Sequence, residues 1–78
     1  MTTILIVDDE QNMRQLIDLV LAKSGFHTIH AANGAEAYYA ISQQTIDLVL
    51  LDVMMPGEDG FEVCRAIQAM IPIPVIFL

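Results

Sequence analysis

Three short apolar runs and one weaker strand segment, separated by stretches with the period of a helix, constrain this chain more than any other feature. Ile4-Leu5-Ile6-Val7 is a continuous β-branched and leucine run, the mark of a strand covered on both faces. From Met13 the period changes. Met13, Leu16, Ile17, Val20 and Leu21 fall at i, i+3, i+4, i+7 and i+8, which predicts a helix with one apolar stripe directed into a core. Ser24-Gly25 closes that helix, with Gly25 as a left-handed cap and Lys23 in the last turn. A weaker strand follows over His27 to Ala31.

Asn33 is the predicted N-cap of a second helix, and Glu36 completes a capping-box pattern. Ala37, Ala40 and Ile41 give this helix a narrow face of small residues. Leu48-Val49-Leu50-Leu51 reads as a central buried strand, and Asp52 stands at its end. Met54 to Gly60 is expected to be a loop, punctuated by Pro56-Gly57 and Asp59-Gly60. Phe61, Cys64, Ile67 and Ile71 recur at helical spacing until Pro72 and Pro74 stop the helix. Val75-Ile76-Phe77-Leu78 is another buried-type strand, the fourth strand of the chain. The order βαβαβαβ implies an α/β fold, a doubly wound parallel sheet with helices on both faces and right-handed crossovers.

Seventy-eight residues allow one domain. Such a chain buries only roughly 60% of its unfolded surface, so its stability is marginal. Three Lys+Arg against ten Asp+Glu give a net charge of −7, the wrong sign for nucleic acid or an anionic membrane surface. A hydrophobic share of 55% excludes a disordered acidic tail. The lone Cys64 forms no internal disulfide and is expected to be a small core residue. No stretch approaches the ~18 apolar residues of a membrane span. The first apolar run is too short for a signal peptide, and no basic residue precedes it. A cytoplasmic location is the expectation.

In an open parallel sheet, ligands sit outside the carboxyl ends of the strands. Asp8 and Asp9 end the first strand there, and Asp52 ends the third. If those strands are neighbours, three carboxylates converge. Two such charges ~4 Å apart repel by about 4 kcal/mol at an effective dielectric near 20. Either one of them retains a proton or a cation binds. Oxygen ligands without His or Cys suit Mg²⁺, Mn²⁺ or Ca²⁺, and an open site with few ligands favours Mg²⁺. The plainer reading, Asp as an N-cap or solvated turn residue, fits either motif alone. A carboxylate beside such a cation is also a potential nucleophile toward phosphorus. Asp52, single and followed by a loop, is the better candidate. Asp8 and Asp9 would then hold the metal.

The runs Ile4-Leu5-Ile6-Val7-Asp8-Asp9-Glu10 and Asp52-Val53-Met54-Met55-Pro56-Gly57-Glu58-Asp59-Gly60 closely resemble the receiver domain of two-component response regulators. The likeness extends over the whole chain. It implies the flavodoxin-like strand order 2-1-3-4. It also implies roles by position: Asp52 as phosphoacceptor, Asp9 as direct Mg²⁺ ligand, Asp8 assisting through water, and the backbone carbonyl of Met54 as a third protein ligand. The implied partner is a histidine kinase or phosphotransfer protein bearing a phosphohistidine. The implied output is a conformational switch rather than turnover of an external substrate.

A complete receiver carries a hydroxyl residue after the fourth strand, a lysine after the fifth, and two more helices. Residues 1–78 are therefore expected to be the N-terminal part of a receiver domain, truncated after the fourth strand and deficient in switching. The fourth strand should be an exposed apolar edge that promotes self-association. Two other functions fit the residues less well. A receiver-like interaction domain that is never phosphorylated would have no need of clustered carboxylates. A Mg²⁺-dependent phosphatase would carry an Asp-x-Asp nucleophile motif, which Val53-Met54 after Asp52 do not supply.

Among the remaining residues, Arg14 is expected to make a surface ion pair, with contact to a phosphoryl group or to Asp8 as the alternative. Glu58-Asp59 is expected to be a solvated loop tip, with a place near the metal as the alternative for Glu58. His27 and His30 fall on or near the second strand, away from the carboxylates, and one of Tyr38 and Tyr39 should pack while the other faces water.

Overall fold

Each predicted run becomes an element in a computed structural model that describes residues 1–78. The order is β1 (Thr3–Val7), α1 (Gln11–Lys23), β2 (His27–Ala31), α2 (Gly34–Gln43), β3 (Leu48–Leu51), β4 (Met54–Met55), β5 (Glu58–Asp59), α3 (Gly60–Met70) and β6 (Val75–Phe77). Strands β2, β1, β3 and β6 lie side by side in that order, all parallel. This is the expected 2-1-3-4 arrangement, with β6 as the fourth strand of the sheet.

The registers explain which residues share a face. Leu5 pairs with Val49 and Val7 with Leu51, and all four are fully buried. They form one core with Ala37, Ala40 and Ile41 of α2 and Val63 and Ile67 of α3. Burying one such aliphatic side chain stabilises by roughly 1.5–3 kcal/mol. Cys64, half-buried against this core, is the packing residue its spacing predicts.

Ile4 and Ile6 alternate with these residues and point to the opposite side, where α1 lies. Here the structure corrects the sequence reading. No residue of α1 is buried, and Leu16, Leu19 and Val20 are each more than half exposed. The stripe is real, but α1 alone covers this side of the sheet. Along the row Ile6, Leu50, Ile76 burial falls from complete, through partial, to 53% exposure at β6.

The ends of the helices follow the sequence signals. Gly25 has φ +88°, and Phe26 N–H returns to Leu21 O at 3.1 Å, closing α1. Asn33 Oδ1 accepts from Glu36 N–H at 2.9 Å, while Glu36 Oε1 accepts from Ala32 N–H rather than from the cap residue itself. The stretch predicted as a loop is a small antiparallel hairpin, with Met54 opposite Asp59 and Met55 opposite Glu58. Pro56-Gly57 makes its turn, and Gly57 takes φ +73°, the type II geometry for which this dipeptide is suited. Pairs of two-residue strands carry no sequence period, so the hairpin was invisible to pattern reading.

Candidate metal centre

Asp52 N–H donates to Val7 O at 2.9 Å, and Asp8 N–H donates to Ala31 O at 3.1 Å. The ladder thus carries the backbone of both aspartates to the same edge of the sheet. Ligand oxygens of Asp8, Asp9 and Asp52 all lie within 4.8 Å of one another. Sequence reasoning asked for this convergence, and it required only that β1 and β3 be neighbours.

Burial differs across the three. Asp8 is 4% exposed, Asp52 is half-buried and Asp9 is exposed. Asp8 Oδ1 accepts from Glu10 N–H at 2.9 Å, and Asp52 Oδ1 accepts from Met54 N–H at 3.2 Å. Neither carboxylate has a cationic side chain against it. The ion pair of the chain is Arg65–Glu62, out on α3. Arg14 Nη1 donates to the backbone carbonyl of Asp8, not to its carboxylate, and Arg14 Nε is buried without a partner. A buried carboxylate with two like neighbours and no basic group bonded to it is a costly arrangement. An all-oxygen donor set of this kind fits a hard divalent cation such as Mg²⁺.

The segment after Asp52 is held close. Gly60 N–H donates to Val53 O at 3.0 Å. A methyl group at Gly60 would stand 2.6 Å from Val53 Cα and 2.7 Å from Asp52 O, so only glycine permits this approach. Met54, on β4, has an exposed side chain, consistent with a residue whose contribution would come from its backbone.

Asp59 is exposed, as expected, but Glu58 is half-buried and is not the solvated tip expected of it. Asp59 caps α3 by accepting from Phe61 N–H at 2.9 Å, and Glu58 Oε1 accepts from Gly34 N–H at 2.9 Å. Asp59 could have been found by its spacing before an apolar helix. Glu58 could not, because its partner is 24 residues away. Tyr38 packs against the core and Tyr39 is exposed, as expected of the pair. Burial, then the charges of Glu58 and Glu62, push the Tyr38 hydroxyl above the ordinary tyrosine value. His27 and His30 are exposed on the edge strand β2, at positions paired with Thr3 and Ile6.

The chain is similar to known proteins over its length. Residues 4–78 match the family model described as response regulator receiver domain. The transcriptional regulatory protein ResD of Bacillus subtilis is 44% identical over 77 residues, covering 99% of this chain and 32% of that protein. The transcriptional regulatory protein AfsQ1 of Streptomyces coelicolor is 38% identical over 78 residues, covering 100% and 35%. Among solved structures, the response regulator TrrA of Thermotoga maritima in complex with Mg(2+)-BeF superposes with a TM-score of 0.90 at 38% identity, covering 99% of this chain and 68% of that one. The chain spans about a third of the length of the curated relatives it matches. No helix is long and apolar enough to cross a membrane. A matching family model over nearly every residue, a shared sheet order and a common edge of carboxylates lead to one conclusion: the chain belongs to the response regulator receiver domains, signalling modules of two-component systems.

Proposed function

We propose that residues 1–78 form the N-terminal part of a receiver domain that accepts a phosphoryl group on Asp52 from a phosphohistidine of a histidine kinase or phosphotransfer protein. Cytoplasmic location accords with such a donor. The observation that carries the proposal is the convergence of Asp8, Asp9 and Asp52 within 4.8 Å at the carboxyl edge of β1 and β3. In this reading Asp9, Asp52 and the Met54 carbonyl hold Mg²⁺ or Mn²⁺, with Asp8 acting through water. TrrA was solved with Mg(2+)-BeF and, in another structure, with the histidine kinase ThkA, which supports both halves of the reading.

The chemistry follows from the residues. A bound divalent cation would supply positive charge for the clustered carboxylates and for the incoming phosphoryl oxygens. Asp52 attacks phosphorus through a carboxylate oxygen while the P–N bond to the donor imidazole breaks, and that nitrogen takes up a proton as it leaves. The Met54 N–H to Asp52 Oδ1 bond holds the carboxylate in one orientation, leaving its other oxygen to react. Lys23 cannot contact the phosphoryl group. It lies in the last turn of α1, about 20 Å along the helix from the acidic motif at 1.5 Å per residue. Arg14 is held on the backbone carbonyl of Asp8, so residues 1–78 bring no lysine to the phosphoryl group, and we infer that by themselves they switch poorly.

Incubation with a cognate kinase and radiolabelled nucleotide tests the assignment. Label on this chain that is released by alkali or hydroxylamine, and that vanishes in Asp52→Asn, supports it. Label retained in Asp52→Asn, or steady hydrolysis of phosphate esters, overturns it.

A further inference from the structure

The β4–β5 hairpin is too small to stand by itself, since isolated two-stranded pairs are marginal in water. Its anchors can be named. Met55 buries its side chain in the core, and Gly60 N–H ties the base of the hairpin to Val53 O. The third anchor is Glu58, which reaches across to α2 and accepts from Gly34 N–H at 2.9 Å.

This contact is fitted on both sides. Gly34 is the first residue of α2, and its N–H is one of the four that a helix leaves without an internal partner. Asn33 satisfies Glu36 N–H, so Gly34 is left for Glu58. A Cβ on Gly34 would run into Glu58 Oε2 and stand 3.2 Å from the Tyr38 hydroxyl and 3.3 Å from Val63 Cγ2. The missing side chain at position 34 is what allows the carboxylate to close on the helix end. The positive end of the helix dipole favours a carboxylate there.

The same hairpin carries Met54, two residues from Asp52. We propose that Glu58 is a positioning residue for the cation site: by fastening β4–β5 to the first amide of α2 it fixes where the Met54 carbonyl stands, and so sets the affinity for Mg²⁺. This rests on the reading of Asp8, Asp9 and Asp52 as a cation site. Groups that orient a ligand without touching the metal commonly govern affinity by one or two orders of magnitude.

Mg²⁺ titration of the 78-residue chain by calorimetry tests the proposal. Glu58→Ala should weaken Mg²⁺ binding on the order of tenfold. Glu58→Gln keeps an oxygen for Gly34 N–H and should restore most of the loss. Gly34→Ala displaces the Glu58 carboxylate without altering the hairpin sequence, and should weaken binding as Glu58→Ala does. The double variant should bind no more weakly than Glu58→Ala alone, because both changes break one contact. Unchanged affinity in Glu58→Ala, or losses that add in the double variant, overturns the positioning role.

One readout needs no variant. Coupling is reciprocal, so saturating Mg²⁺ should slow hydrogen exchange at the Gly34 amide of the unaltered chain. Exchange there that ignores Mg²⁺ overturns the proposal even if every variant unfolds. Absence of saturable Mg²⁺ binding in the unaltered chain would instead sink the cation reading itself, and this inference with it.

Discussion

Val7 and Leu51 face each other in the parallel ladder, and the next residue of each strand is an aspartate. Asp8 and Asp52 therefore leave the sheet side by side, and Asp9 adds its carboxylate to the same group. A divalent cation that binds only the folded chain must raise its stability. At 100 times the dissociation constant the gain is about 2.7 kcal/mol. Thermal unfolding with Mg²⁺ and with chelator should differ accordingly, and the difference should disappear in Asp9→Ala. Equal midpoints with and without Mg²⁺ in the unaltered chain would refute the metal assignment.

Without metal, the same crowding of charge works against folding. Asp52→Asn removes one of three neighbouring charges and keeps the Oδ1 that accepts from Met54 N–H. Urea unfolding in chelator should show this variant more stable by about 1 kcal/mol, after allowance for solvent around a half-exposed group. Its response to Mg²⁺ should shrink. A less stable variant in chelator would mean that the three carboxylates do not repel one another appreciably.

Gly60 tests how tightly the segment after Asp52 is packed. A methyl group there meets the backbone of Val53 and Asp52 well inside contact distance, and backbone cannot swing aside as a side chain can. Gly60→Ala should cost roughly 1–3 kcal/mol, the usual range for forced overpacking. Chemical denaturation at neutral pH measures it. A loss below a few tenths of a kcal/mol would show that the hairpin base has slack.

Tyr38 gives the chain an alkaline limit. Its hydroxyl is raised above the ordinary value, first by burial and then by Glu58 and Glu62. The folded state therefore holds the proton more tightly than the unfolded state. This contribution is complete below about pH 10, the unfolded value. It is lost as pH rises through the higher folded value. Stability followed from pH 8 to 11 should fall less steeply in Tyr38→Phe. Identical slopes would remove Tyr38 from the account.

The outer edge of β6 is unpaired, Ile76 is 53% exposed, and the α1 side of the sheet is thinly covered. We expect the 78-residue chain to self-associate at high concentration through this edge. Sedimentation velocity over a range of concentrations should show a rising average mass, reduced in Ile76→Lys. A stable monomer throughout would contradict this.

What could be read from the sequence was whatever local pattern encodes. Continuous runs such as Ile4–Val7 and Leu48–Leu51 announced strands covered on both faces, and Asp8, Asp9 and Asp52 stood where strands end. Gly25 and Asn33 marked helix ends through their own backbone and side-chain chemistry. The misreadings involve partners distant in sequence. The apolar stripe of α1 says that a surface wants cover, not that a second helix supplies it. Glu58 looked like a solvated tip because nothing near it in sequence names Gly34 as its partner. The hairpin escaped because two residues cannot display a period.

The commitments of the few basic side chains have a kinetic consequence. Arg65 is engaged with Glu62, Arg14 with a backbone carbonyl, and Lys23 lies a full helix length away from the carboxylates. Three carboxylates stand against the single guanidinium of Arg14, so the mouth of the cluster projects a net negative field. Small anionic phosphodonors would be repelled as they diffuse in, and added salt would hasten their approach by shortening the reach of that field. A donor presented on a positively charged protein face would be drawn in instead, with on-rates highest at low ionic strength. Selection between donors would then begin before contact, in the long-range electrostatics of the encounter.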